Sequence, residues 1–145
     1  MIILDTNVIS EVFRREPDTR VVSWLESIDD DVAITAITLA ELLAGVRRLP
    51  MGRRRSVLVE SIERAVQPYR DTRSVLSFDD RAADHYADIL DAREKSGQPI
   101  SMADAQIASI CRARNAVCAT RNTRDFDRTG IELVNPWDAV GSIRS

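Results

Sequence analysis

The chain has 145 residues, 44% of them hydrophobic and 30% charged, which suits one globular domain over 1–145 and excludes disordered and fibrous architectures. Its net charge of -3 argues against a protein that coats nucleic acid nonspecifically. Apolar runs stay short, as in Ile2-Ile3-Leu4, so neither a membrane span nor a signal-peptide core is expected, and the protein is expected in the cytosol.

Ile2 to Leu4 reads as a strand buried on both faces, and Asp5-Thr6-Asn7 supplies cap chemistry for a helix carrying Val8, Ile9, Val12 and Phe13. A second helix, capped by Asp18 or Thr19, carries Val21, Leu25 and Ile28. Val32 to Ile37 is the next strand, and Thr38 opens a helix with Leu39, Leu42, Leu43 and Val46. After the Leu49-Pro50-Met51-Gly52 break, Leu58, Ile62, Ala65 and Val66 mark a further helix. Val75, Leu76 and Phe78 form a short strand or extended connector. Asp79 caps a helix with Ala83, Tyr86 and Leu90 on one face and Gly97 as its stop. Ser101 caps another, with Ala103, Ile107, Ile110 and Cys111 as the apolar face. Val117 to Thr120 and Ile131 to Val134 are the last strands, ahead of Pro136-Trp137. This alternation predicts an α/β fold, a three-layer α/β/α sandwich around a parallel sheet.

Cys111 and Cys118 form no C-x-x-C pair and read as reduced, buried and inert. His85 is the only histidine, which excludes a two-histidine ribonuclease and any multi-histidine metal site within one chain. Trp24 and Trp137 read as core or interface anchors. Lys95 is the only lysine among 20 basic residues, so the rest are arginine. The cluster Arg53-Arg54-Arg55, near Arg47 and Arg48, suits phosphate contacts, although a basic run is commonly a solvated helix face.

Carboxylates must therefore carry most of any chemistry. In an open α/β sheet the site lies beyond the carboxyl ends of the strands. Asp5 follows the first strand, Glu41 falls in the first turn after the second, Asp104 in the first turn opened by Ser101, and Asp125 in the loop beyond Thr120. Each alone also reads as a cap or turn residue, in the patterns Thr38-x-x-Glu41 and Ser101-x-x-Asp104 among others. Jointly they would repel one another unless cations neutralise them, and one or two Mg²⁺ or Mn²⁺ ions suit such an oxygen donor set and phosphoryl chemistry. Thr6, Asn7, Thr120 and Asn122 lie beside two of these acids and could orient a ligand carboxylate or a water.

The segments Met1-Ile-Ile-Leu-Asp-Thr-Asn-Val8, Thr38-Leu-Ala-Glu-Leu-Leu-Ala-Gly-Val46, Ser101-Met-Ala-Asp-Ala-Gln-Ile-Ala108 and Ala119-Thr-Arg-Asn-Thr-Arg-Asp-Phe126 resemble the successive motifs of PIN-domain nucleases. The ending Gly130-Ile-Glu-Leu-Val-Asn-Pro-Trp137 resembles the VapC toxin branch. The resemblance implies a Mg²⁺- or Mn²⁺-dependent endoribonuclease that cleaves RNA with metal-activated water and inhibits translation and growth. It would be the toxin of a type II toxin–antitoxin pair. It also implies an acidic pocket of Asp5, Glu41, Asp104 and Asp125, supported by Thr6, Thr120 and Asn122, with Asp127 as an alternative to Asp125. Further implications are a VapB-type antitoxin that inserts a segment into the pocket, and a homodimer whose basic groove could draw on Arg53, Arg54 and Arg55.

Two rival readings stand beside this one. A PIN fold that only binds RNA would look similar, although all four acids are kept. A phosphorelay receiver also holds Mg²⁺ at a parallel sheet edge, yet it needs a lysine after a late strand, and Lys95 ends a helix. Neither G-x-G-x-x-G nor G-K-[ST] occurs.

Overall fold

The computed structural model describes residues 1–138 and the backbone of Ile143–Arg144. Strands β1 (Ile2–Leu4), β2 (Val32–Thr35), β3 (Val75–Leu76), β4 (Val117–Ala119) and β5 (Leu133–Val134) run parallel in the order β3-β2-β1-β4-β5. β6 (Ile143–Arg144) adds an antiparallel edge to β5. It lies in a tail to which the sequence pattern assigns no element, and it makes the sheet mixed at that edge. The helices are α1 (Thr6–Glu11), α2 (Thr19–Ser27), α3 (Ala36–Arg47), α4 (Arg53–Asp71), α5 (Asp80–Lys95) and α6 (Met102–Ala113). A 3₁₀ turn, Thr123–Phe126, links β4 toward β5.

Strand side chains alternate between faces, so each strand feeds two cores. Ile3, Ala33, Cys118 and Leu133 join Ile89 of α5 and Ile107 and Ile110 of α6. Leu4, Ile34, Ala119 and Val134 join Val8, Val21, Leu42 and Ile62 from α1 to α4. The expected three layers follow directly. Trp24 and Trp137 both belong to the second core, and Cys111 and Cys118 are fully buried in the first.

Three local readings change. Thr35, not Thr38, caps α3: its hydroxyl accepts the Thr38 N–H at 3.1 Å. β2 consequently ends at Thr35 rather than Ile37, and Glu41 falls one turn deeper in α3 than expected. On α5 the buried positions are Ala82, Ile89 and Arg93, while Ala83 is exposed. α6 is buried around most of its circumference, at Ala105 and from Ile107 through Cys111, because it lies between the sheet and α5.

β1 pairs with β2 on one side and β4 on the other, so the chain order reverses at β1 and β4. That switch point opens a crevice at the carboxyl ends of these two strands.

Candidate active site

Asp5 sits in that crevice, 5% exposed, as the cap of α1. Its Oδ1 accepts the Thr6 N–H at 2.8 Å, and its Oδ2 accepts the Thr120 hydroxyl at 2.8 Å and the Asn7 amide at 3.2 Å. Burial nevertheless outweighs these bonds and, with the charges of Asp104 and Glu41, pushes the carboxyl up to about 6. Thr120, itself fully buried, also accepts the Asn122 N–H at 3.0 Å. A single hydroxyl thus ties β4, β1 and the following loop together.

Thr6 turns the other way and donates to Glu41 Oε1 at 2.6 Å, with its oxygen 3.0 Å from the Thr38 hydroxyl. The α3 acid is therefore drawn to the α1 side of the crevice. Asp104 occupies the third position of α6, where Ser101 accepts its N–H at 3.2 Å, so the expected cap is present. Burial raises the Asp104 carboxyl, and the charges of Asp125 and Glu41 raise it further, while a Ser101 hydrogen bond and the charge of Arg93 oppose them. The Asp104 charge in turn acts on Asp5. Asp5, Glu41, Asp104 and Asp125 accordingly share one electrostatic neighbourhood. Among the described residues no three of His, Cys, Asp and Glu close into a ready-made ion cage.

Residues 2–132 match the family model described as PIN domain. The chain belongs to the PIN domain family. It is 42% identical to Toxin FitB of Neisseria gonorrhoeae, across 94% of this chain and 99% of that one. It is 40% identical to VapC ribonuclease Y4jK of Sinorhizobium fredii, across 95% and 99%. A solved structure of FitAB bound to a DNA fragment superposes with a TM-score of 0.88 at 40% identity, covering 95% of this chain and 96% of that one.

Arg93 and Arg121 of this PIN domain carry no local sequence signal. Arg93 is buried, and its guanidinium reaches four backbone carbonyls around the acids. Arg121, beside Thr120, lies 5.0 Å from the Trp137 ring centroid, and its N–H donates to Asn7 at 3.2 Å. A groove of about 740 Å³ leads from Thr6 and Glu41 past Phe13, Leu42 and Leu58 to Arg54. Arg53 and Arg54 are exposed in the first turn of α4, whereas Arg55 donates to Met51 Sδ at 3.0 Å and to Leu49 O at 3.5 Å. His85 lies on α5, with its Nδ1 buried and without a partner.

Proposed function

We propose that this PIN-domain protein is the ribonuclease toxin of a type II toxin–antitoxin pair, a Mg²⁺- or Mn²⁺-dependent endoribonuclease acting on single-stranded or looped RNA. The observation that carries this reading is the convergence of Asp5, Glu41, Asp104 and Asp125 at one switch point, where burial and mutual repulsion leave the acids short of positive charge. Such a donor set of carboxylate oxygens fits a hard divalent cation. Asp5 and Asp104 would hold it, with Glu41 and Asp125 completing the set, and it would supply a Lewis acid for phosphodiester hydrolysis.

The chain's own residues prepare that site. Thr120 and Asn7 fix the Asp5 carboxylate, and Thr6 fixes Glu41. Asn122 holds Thr120 in place through its backbone N–H. Arg53 and Arg54, exposed near the groove, offer phosphate contacts, with Arg55 more confined. The FitAB complex supports an antitoxin as partner; in this reading the antitoxin is of VapB type with an arginine that could reach the acids, and the working assembly is a homodimer. Growth inhibition through RNA cleavage and a cytosolic location complete the reading; no helix among the described residues is long and apolar enough to cross a membrane.

Incubation of the protein with a looped RNA and Mg²⁺ or Mn²⁺ tests this. Fragments ending in 5′-phosphate and 3′-hydroxyl, abolished by EDTA, are expected. Fragments with 2′,3′-cyclic phosphate, or cleavage undiminished in EDTA, would overturn it. The alternative reading is an RNA-binding module without catalysis. RNA bound but uncut at saturating Mn²⁺ would establish that instead.

A further inference from the structure

We propose that Arg93 is a positioning residue of the acidic pocket, fixing from α5 the two backbone segments that carry Asp104 and Asp125. This rests on the metal-dependent nuclease reading above. Arg93 is 5% exposed in the last turn of α5. Its Nε donates to Gln98 O at 2.6 Å and an Nη to Pro99 O at 3.4 Å, on the segment leading into the Ser101 cap of α6. The other Nη donates to Asp125 O and Asp127 O, both at 2.8 Å, at the end of the 3₁₀ turn. These bonds go to backbone carbonyls, so the buried positive charge is satisfied by dipoles and its field acts on Asp104.

That arrangement uses properties only arginine combines. The planar fork presents several donors in fixed directions, so one side chain can span two segments, whereas a lysine ammonium is a point donor. A neutral donor could bridge carbonyls without burying a charge. Placing the charge beside the acids lets the same group order the pocket and offset part of its repulsion. Removing it should disturb the Asp104–Asp125 pair while leaving Asp5 and its partners at the ends of β1 and β4 untouched.

The test compares wild type, Arg93→Met and Arg93→Lys as full chains, with circular dichroism to verify the fold. Calorimetric titration with Mn²⁺ alone and steady-state cleavage of a looped RNA are the readouts. Arg93→Met should bind Mn²⁺ roughly 10- to 100-fold more weakly, the range for groups that orient metal ligands. Its kcat should fall with KM unchanged, and Arg93→Lys should recover part of both losses. A folded Arg93→Met or Arg93→Lys protein with wild-type Mn²⁺ affinity and kcat would overturn the proposal and reduce the residue to a structural clamp. If Arg93→Met fails to fold, Arg93→Lys decides alone. Wild-type protein that neither binds Mn²⁺ nor cleaves RNA would overturn the nuclease reading itself, and this inference with it.

Discussion

The two halves of the acidic pocket are built on different principles. On the β1–β4 side, donors grip the carboxylate itself: the Thr120 and Asn7 side chains and the Thr6 backbone N–H all donate to a buried Asp5. On the α6 side the acids are less buried, and the backbone beneath them is gripped instead, by Ser101 at the start of the helix and Arg93 under the loop. The first half fixes an atom, the second a segment. A buried, directly bonded carboxylate has one geometry and a strongly altered affinity for protons. An acid on a clamped segment keeps its side-chain freedom.

The sharpest way to break that contrast is Asp5→Asn, which should abolish cleavage while the fold persists. The same substitution should change how stability depends on pH. Because Asp5 titrates near 6 in the folded chain against an ordinary 3.8, the folded state binds more protons than the unfolded one between those values. Stability from this group is therefore full below about pH 4 and lost as pH rises through 6, amounting to about 3 kcal/mol by pH 8. Thermal unfolding of metal-free wild type should weaken across that window, and Asp5→Asn should remove this component of the decline. A wild-type unfolding midpoint that is flat or rising from pH 4 to pH 8 would contradict the assignment.

Next in size comes Thr120→Val, which removes a donor to Asp5 and the acceptor for Asn122. Cleavage should fall roughly 10- to 100-fold. Chemical denaturation should show a loss of about 1–3 kcal/mol. On the segment-clamped side, Asp125→Asn and Asp127→Asn should separate: the first lowers activity about tenfold, within the range for groups around a metal, and the second leaves it near wild type. Equal effects in a cleavage assay would remove the distinction between these acids. The smallest effect belongs to Arg53→Ala, Arg54→Ala and Arg55→Ala combined. RNA binding should weaken and its logarithmic salt slope should flatten by roughly 0.7 per lost phosphate contact, with Mn²⁺ binding intact. An unchanged slope would return the cluster to a solvated helix face.

Legibility in the sequence follows the same division. Asp5 and Asp104 announce themselves because a strand end or cap lies within a few residues of each, and local chemistry carries the signal. The strand–helix alternation revealed the layers for the same reason. Glu41 was displaced by one turn because Thr35 and Thr38 are equally good caps by type, and only the end of β2 at Thr35, whose hydroxyl accepts the Thr38 N–H, selects between them. The buried face of α5 shifted by one residue, from Ala83 to Ala82, since alanines mark no side. Arg93 stayed hidden: an arginine in a last helical turn reads as a partner of the helix dipole, and backbone carbonyls from distant segments leave no residue-type signature. β6 has too short an apolar pattern to announce a strand.

The hydrogen bond from Thr120 to Asp5 joins residues 115 positions apart. β1 is among the first segments synthesised, yet the strand that completes its other side, β4, is among the last. A growing chain can assemble the β1–β2 pair early, but Asp5 lacks the Thr120 donor until nearly the whole protein has been made. Non-local closure of this kind is also slow, because the loop entropy must be overcome before the contact forms. A partly made chain therefore carries an unfinished site. If the chain is the nuclease proposed above, the interval between first synthesis and final strand insertion is a window in which a partner can meet a polypeptide whose acidic pocket is still incomplete.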